Sequence, residues 1–419
     1  MSQLAINGGP AVAPQGLRVE WPIFDARDRQ ALMRALDSGN WCRLNWADPM
    51  DSEVAQFEME FARYHDAAHC VAVANGTAAI EVALKAGGIE AGDEVLVTPV
   101  TFISSAIAIV LAQAVPVFVD IDRETYQIDP AAMEAAIGPQ TKAAVIVHYG
   151  GYPCDMDAIG ELAARRGLFV VEDCAHAHGS EWRGRKVGAL VNAGTFSFQA
   201  SKTLNCGEGG AVTTDDEGLA GKAFSYHHIG RIPGRPFYEH HIAAPNYRMT
   251  EFQGALLRTQ LEKLPQQTEV RHRNASRLTA ALADMPGVAP LRPDDRITCQ
   301  GYYFYLFRFL RDEWDGIHRD RFLEALRAEG IPAGNAYGIP IHKNPVFQEH
   351  GFGRTGCPIN CAHYGREMDY TKVVLPVAER VLAQEQVSLT GHVLTEQSNI
   401  DLIIAAVEKV YRNREELLR

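Results

Sequence analysis

Lys202 closes the run Thr195-Phe196-Ser197-Phe198-Gln199-Ala200-Ser201-Lys202 and is followed by Gly207-Glu208-Gly209-Gly210. An amine after a short β-rich run, with a hydroxyl five residues before it and glycines just beyond, suits a nucleophile that must reach a buried aldehyde. Ser197 can hold a phosphate, and the glycines let backbone approach a flat ligand closely. Upstream, Val170-Val171-Glu172-Asp173-Cys174-Ala175-His176 places an acid at the end of an apolar strand and an imidazole three residues later. A Schiff-base lysine, an acid for a pyridinium nitrogen and a phosphate cup are the parts that pyridoxal phosphate chemistry requires. Lys202, Asp173 and His176 are therefore the expected catalytic residues, and pyridoxal 5'-phosphate the expected cofactor. A lone lysine would be a solvated surface group; the combination points to chemistry.

Three other stretches could join that site. Asn75-Gly76-Thr77-Ala78-Ala79 starts a helix right after an apolar strand, where free amides and the positive end of the dipole attract an anion. An ordinary helix cap would explain the same residues. Phe102 follows Pro99 at a strand end, where its ring could stack on a planar cofactor or pack in the core. In Pro245-Asn246-Tyr247-Arg248-Met249-Thr250-Glu251-Phe252-Gln253, Thr250 and Gln253 fit a capping box, which leaves Asn246 and Arg248 unexplained.

The elements that must position these groups alternate from about residue 70 to 215. Val71–Val73 leads to a helix over 77–85, and Glu94–Thr98 to a helix over 104–113. Val117–Ile121 and a helix near 131–137 follow, then Ala143–His148, a helix near 156–166, and Leu168–Glu172. Such alternation means βαβ crossovers and an α/β fold with a mainly parallel sheet, whose ligands sit at the carboxyl ends of the strands. Asn75-Gly76-Thr77, Phe102, His148 and Asp173 all fall at such ends. After about residue 265 the pattern changes. A helix is expected to end near Leu261, a polar-faced helix to run from Arg271 to Ala283, and Tyr302–Phe309 to form a strand. Helices over 319–330 and 398–415 complete a smaller α+β domain. The expected division is 1–265 for the large domain and 266–419 for the small one, helped by the N-terminal segment.

Composition narrows the partners. The 419 residues carry a formal net charge of −12, from 40 basic and 52 acidic side chains, which argues against nucleic acid or an anionic membrane. The uncharged stretch from Val95 to Val119 is long enough to span a bilayer, but Pro99, Pro116 and its strand–helix–strand pattern read as a buried core. Scattered cysteines and no recognisable signal peptide suggest a reduced, cytoplasmic protein. Cys357, Cys361 and His363 are a weak metal hint without a second cluster, so no metal site is expected.

On Asn-Gly-Thr-Ala-Ala (75–79), Glu-Asp-Cys-Ala-His-Ala-His-Gly (172–179), Ser-Phe-Gln-Ala-Ser-Lys (197–202) with Gly-Glu-Gly-Gly (207–210), and Asn-Tyr-Arg-Met-Thr-Glu-Phe-Gln (246–253), the chain resembles a known family. These are the sugar aminotransferases often called DegT/DnrJ/EryC1/StrS, and the likeness runs from about Trp21 to the C-terminus. The resemblance implies the type I (aspartate aminotransferase) fold with a seven-stranded sheet. It implies that Lys202 forms the Schiff base and shuttles the proton, that Asp173 holds the pyridinium, and that His176 lies by the phenolic oxygen. Gly76, Thr77 and Ser197 would take the phosphate, and Phe102 would stack on the ring. Asn246 would reach the neighbouring subunit's phosphate in a homodimer with shared active sites. The family's dehydratases carry histidine where this chain has Lys202, so transamination is favoured.

His342-Lys343-Asn344-Pro345 tips the resemblance towards glutamine-dependent aminotransferases of inosose and deoxy-inosose. The expected reaction moves the amino group of L-glutamine or L-glutamate to a keto-cyclitol or keto-sugar. One rival is a nucleotide-linked keto sugar or an aminobenzoate product, for which Arg43, Arg231 or Arg235 near the pocket mouth could face a diphosphate. A remote alternative is a regulatory protein that binds the cofactor without turnover.

Overall fold

The computed structural model describes residues 3–45, 47–360 and 362–418; Cys361, half of the cysteine pair noted above, lies outside them. The strands in the first half are β1 (His69–Val73), β2 (Glu94–Val97), β3 (Val115–Phe118), β4 (Thr141–Val147) and β5 (Phe169–Asp173). The short β6 (Glu181–Trp182) and β7 (Arg185–Lys186) precede β8 (Ala193–Ser197) and β9 (Gly210–Thr214). Seven of them form one sheet in the order β1-β9-β8-β5-β4-β2-β3. From β3 to β8 all neighbours are parallel, and β9 runs antiparallel to both β8 and β1. This is the mainly parallel seven-stranded sheet of the α/β reading. Strands β2, β8 and β9 are buried at every position, the pattern of strands covered on both faces.

Helix α1 (Ala26–Asp37) packs on Phe252 and Ala255 of a later helix, and the faces of the sheet are covered by α2 (Glu53–Tyr64), α3 (Gly76–Ala86), α4 (Ser104–Leu111), α5 (Pro130–Ala136), α6 (Met156–Arg166) and α7 (Glu217–His227). Capping decides where several begin. Asn75, Asp129, Asp155 and Asp216 each accept a backbone N–H from the first turn that follows. The third strand was expected over 117–121 but pairs over Val115–Phe118. Pro116 is accommodated because β3 is the sheet's edge, where a missing donor leaves no ladder bond unmade.

The larger difference is α8 (Glu251–Ala283), a single helix where two were expected, one ending near Leu261 and one starting at Arg271. Pro265 lies inside it on the exposed side. Leu257, Leu261, Leu264, Thr268, Arg271, Ala275, Leu278 and Leu282 are buried along its length. That packing outweighs the bond lost at the proline. Its start has the expected box: Thr250 N–H donates to Gln253 Oε1 at 2.8 Å. Residue 265, the expected domain division, is thus a point within a helix.

A second core gathers β10 (Val288–Pro290), β12 (Phe304–Phe309) and β13 (Gln386–Thr390), an antiparallel sheet, with α9 (Arg319–Ala328) and the closing helix Gln397–Arg412. Leu4 and Ala13 of the N-terminal segment are buried in it. Strand β11 (Ile297–Cys299) pairs instead with β6. Ile341, Phe347, Tyr370 and Leu382 pack on the first core, although they follow α8 in sequence. Among the described residues no helix is long and apolar enough to cross a membrane, and the uncharged stretch 95–119 is indeed strand, helix and strand.

Candidate active site

A cavity of about 750 Å³ opens where the parallel strands end. Gly76, Thr77, Phe102, Asp173, His176, Ser197 and Lys202 all line it. Residues spread over 126 positions of sequence meet there because β5, β8 and the β1–α3 turn are neighbours through the crossovers. Asn246 does not line it: it is exposed, in a backbone bridge with His228.

One wall is the start of α3. The Asn75 side chain caps it by accepting the Ala78 N–H at 2.9 Å, so the expected cap is real. The first amides of α3 and the hydroxyls of Thr77 and Ser104, 2.8 Å apart, border the cavity. Ser197 joins them because Gly76 has no side chain: a Cβ there would lie 2.7 Å from Ser197 Cβ. Backbone donors, a helix dipole and three hydroxyls make an anion cradle.

Asp173, at the end of β5, is buried. Ser105 Oγ donates to its Oδ2 at 2.7 Å, and the Ala175 N–H to its Oδ1 at 3.1 Å. Burial raises its carboxyl above the usual carboxylate range, against the pull of those donors and of Lys202. A desolvated carboxylate facing a cavity is a strong partner for a cationic ring nitrogen. Lys202 is buried as well, and burial lowers its amine to about 8, with the charge of Asp173 opposing. Its Nζ lies 4.2 Å from the centroid of the Tyr303 ring. An amine this easily deprotonated near neutrality can act as nucleophile and as base.

His176 stacks on the same Tyr303 ring, centroids 4.2 Å apart and 18° between planes. Burial, with Lys202 and His178 nearby, holds its imidazole well below the ordinary value, so the ring is neutral. The Gly150 N–H donates to Nδ1 at 3.4 Å, which leaves the hydrogen on Nε2, 2.9 Å from Tyr337 Oη. The expectation that His176 faces a cofactor oxygen thus meets a tyrosine at that nitrogen. Phe102 is half exposed, with a ring free to cover a flat ligand.

Ser105, Tyr303 and Tyr337 were not singled out from the sequence. Ser105 had a faint signal, since it sits in the first turn of the helix after Phe102. Tyr303 and Tyr337 had none, because they reach the cavity from beyond α8. His342 and Lys343 lie outside it: His342 is buried with Nε2 3.1 Å from Glu379 Oε1, beside the Ile341 N–H that donates to Pro99 O.

A buried amine, a buried carboxylate and an anion cradle around one cavity fit pyridoxal phosphate. Comparisons with known proteins agree. Residues 23–408 match the model of the DegT/DnrJ/EryC1/StrS aminotransferase family. An L-glutamine:2-deoxy-scyllo-inosose aminotransferase of Streptoalloteichus tenebrarius is 38% identical over 427 residues, covering 99% of both chains. A 3-amino-5-hydroxybenzoate synthase of Amycolatopsis mediterranei is 41% identical over 336 residues, 79% of this chain and 84% of that one. Among solved structures, a 3-amino-5-hydroxybenzoic acid synthase superposes with a TM-score of 0.79 at 35% identity, covering 94% of this chain and 99% of the other. The chain belongs to the DegT/DnrJ/EryC1/StrS family and is a pyridoxal-phosphate-dependent aminotransferase.

Proposed function

We propose that this aminotransferase moves the amino group of L-glutamine or L-glutamate to the ketone of a cyclitol of the inosose type. The observation that carries the reading is the buried Lys202 amine in one cavity with Asp173 and the α3 anion cradle. Full-length likeness to an inosose aminotransferase supports the acceptor. Bound pyridoxal phosphate supplies an electron sink that makes the donor's α-proton acidic. Asp173 keeps the ring nitrogen protonated and so strengthens that sink. Gly76, Thr77 and Ser197 would hold the phosphate, Phe102 would cover one ring face, and His176 would lie by the phenolic oxygen. Lys202 Nζ would take the donor's α-proton and pass it to the cofactor carbon that carried the aldehyde, and would move a proton the opposite way when the acceptor ketone is aminated.

The rival acceptor, a nucleotide-linked sugar, needs cations for its diphosphate. Arg43 is engaged by Glu58 at 2.5 Å and Arg231 lies over the Phe237 ring, and none of Arg43, Arg231 and Arg235 lines the cavity of its own chain. The test is to offer the aminated cofactor form scyllo-inosose, 2-deoxy-scyllo-inosose, and a 3-keto and a 4-keto nucleotide sugar. Fast return to the aldehyde form with an inosose is expected; a preference for a nucleotide sugar overturns the acceptor assignment.

The exposed position of Asn246 favours a role in a neighbouring subunit, in a cytoplasmic homodimer. Lys202→Ala and Asn246→Ala are each expected to be nearly inactive. Unfolded and reassociated together, they should recover up to about a quarter of wild-type activity, since half of the dimers then carry one intact site. A dead mixture, or an active Asn246→Ala enzyme, defeats the shared site.

A further inference from the structure

The turn that carries Lys202 is held from outside by side chains distant in sequence. Between Phe198 and Gly207 the backbone leaves the sheet, closed by the Cys206 N–H on Phe198 O at 3.0 Å and the Ala200 N–H on Gly207 O at 2.9 Å. Inside, the Lys202 N–H donates to Gln199 O at 2.8 Å, and Asn205 Nδ2 to Lys202 O at 3.3 Å. The carbonyls of Ala200 and Ser201, directly before the lysine, are held from outside the turn. Trp21 Nε1 donates to Ala200 O at 3.0 Å, and His392 Nε2 to Ser201 O at 3.0 Å. The indole and imidazole rings stack on one another, with centroids 4.0 Å apart and 17° between planes.

A carbonyl only accepts, so His392 carries its hydrogen on Nε2. Burial lowers this imidazole to about 4, so the ring is neutral, and its buried Nδ1, an acceptor in this tautomer, has no partner among the described residues. His392 belongs to the single turn Gly391–Thr395 directly after β13, and Trp21 to the segment before α1. Neither lines the cavity. Ser201 is also tied within the turn, its N–H and hydroxyl donating to Gln199 Oε1 at 2.9 and 2.7 Å, and its Oγ lies 2.9 Å from the hydroxyl of Tyr303, whose ring faces Lys202 Nζ.

We propose that Trp21 and His392 are positioning residues, a stacked pair of donors that pins the two carbonyls preceding Lys202 and so holds its amine at the reacting atoms. The pair ties the lysine turn to the N-terminal segment and to the sheet of the second core. The inference rests on the assignment of Lys202 given above.

Two substitutions separate the two features of His392. His392→Phe keeps a ring for the stack and loses the donor; His392→Gln keeps a donor and loses the ring. In the His392→Phe holoenzyme, amide exchange across residues 199–206 is expected to rise about fivefold to tenfold, the factor that one lost hydrogen bond supplies. The kcat of amino transfer from donor to cofactor should fall by a similar factor while donor KM moves less than about twofold, because the pair acts through the lysine and not on substrate. His392→Gln should recover most of both. Trp21→Phe, at the partly exposed end of the clamp, should change both in the same direction as His392→Phe and serves if that variant does not fold. Unchanged exchange and kcat in the donor-less variants overturn the proposal, as does a Gln variant no better than Phe. Reductive trapping of the cofactor on wild-type Lys202 is the control: its failure sinks the lysine assignment, whereas trapping with an unaltered turn sinks only the clamp.

Discussion

Lys202→Ala is expected to lower amino transfer by at least about 10⁴-fold, because one substitution removes both the nucleophile and the proton carrier. The apoenzyme should keep its fold, since a desolvated amine costs free energy rather than stabilising the core. Borohydride reduction of the wild-type holoenzyme, followed by peptide mapping, should place the cofactor on Lys202. The lowered amine adds a pH dependence of definite sign. Cofactor uptake needs the unprotonated amine, and burial sets its midpoint near about 8. Uptake by apoenzyme should therefore slow about tenfold per pH unit below that midpoint and level off above it. A label on another lysine, or uptake flat from about pH 6 to about pH 9, contradicts the assignment.

Asp173→Asn should leave a folded protein that binds the cofactor and transfers amino groups about a thousandfold more slowly, the scale of losing a preorganised charge partner. The amide is nearly the same shape, and Ser105 can accept from it as readily as it now donates to Oδ2. Replacing the carboxylate also relieves the burial that raises its pKa, so the thermal midpoint of the apoenzyme should hold or rise. Near-normal single-turnover rates with the donor would show that Asp173 does not protonate the ring nitrogen. A large fall in apoenzyme stability would give it a structural role instead.

Local patterns made much of the site legible. Asp173 ends an apolar strand, the Asn75 cap starts α3, and Lys202 sits in a turn bounded by Ser197 and Gly210. These are features of short segments, written in continuous apolar runs, capping chemistry and glycine placement. The alternation of strands and helices then brought most strand ends to one edge, since right-handed crossovers leave few other arrangements. The long-range partners were not legible in this way. Ser105 beneath Asp173, Tyr303 under Lys202 and His176, and Tyr337 on His176 come from segments with no periodic reason to face the cavity. Trp21 and His392 meet 371 positions apart only because the N-terminal segment and the turn after β13 pack beside the lysine turn. Helix α8 makes the same point in reverse. Its sequence contains a local stop at Pro265, yet buried side chains on both sides of the proline carry the helix through. The sequence by itself determined the candidate reacting groups and the elements that bear them, because those depend on neighbours within a few residues. The tertiary structure alone decided which distant side chains orient the groups and where α8 ends, because packing free energy gathers contacts from the whole chain and can outweigh a local preference of a few kcal/mol.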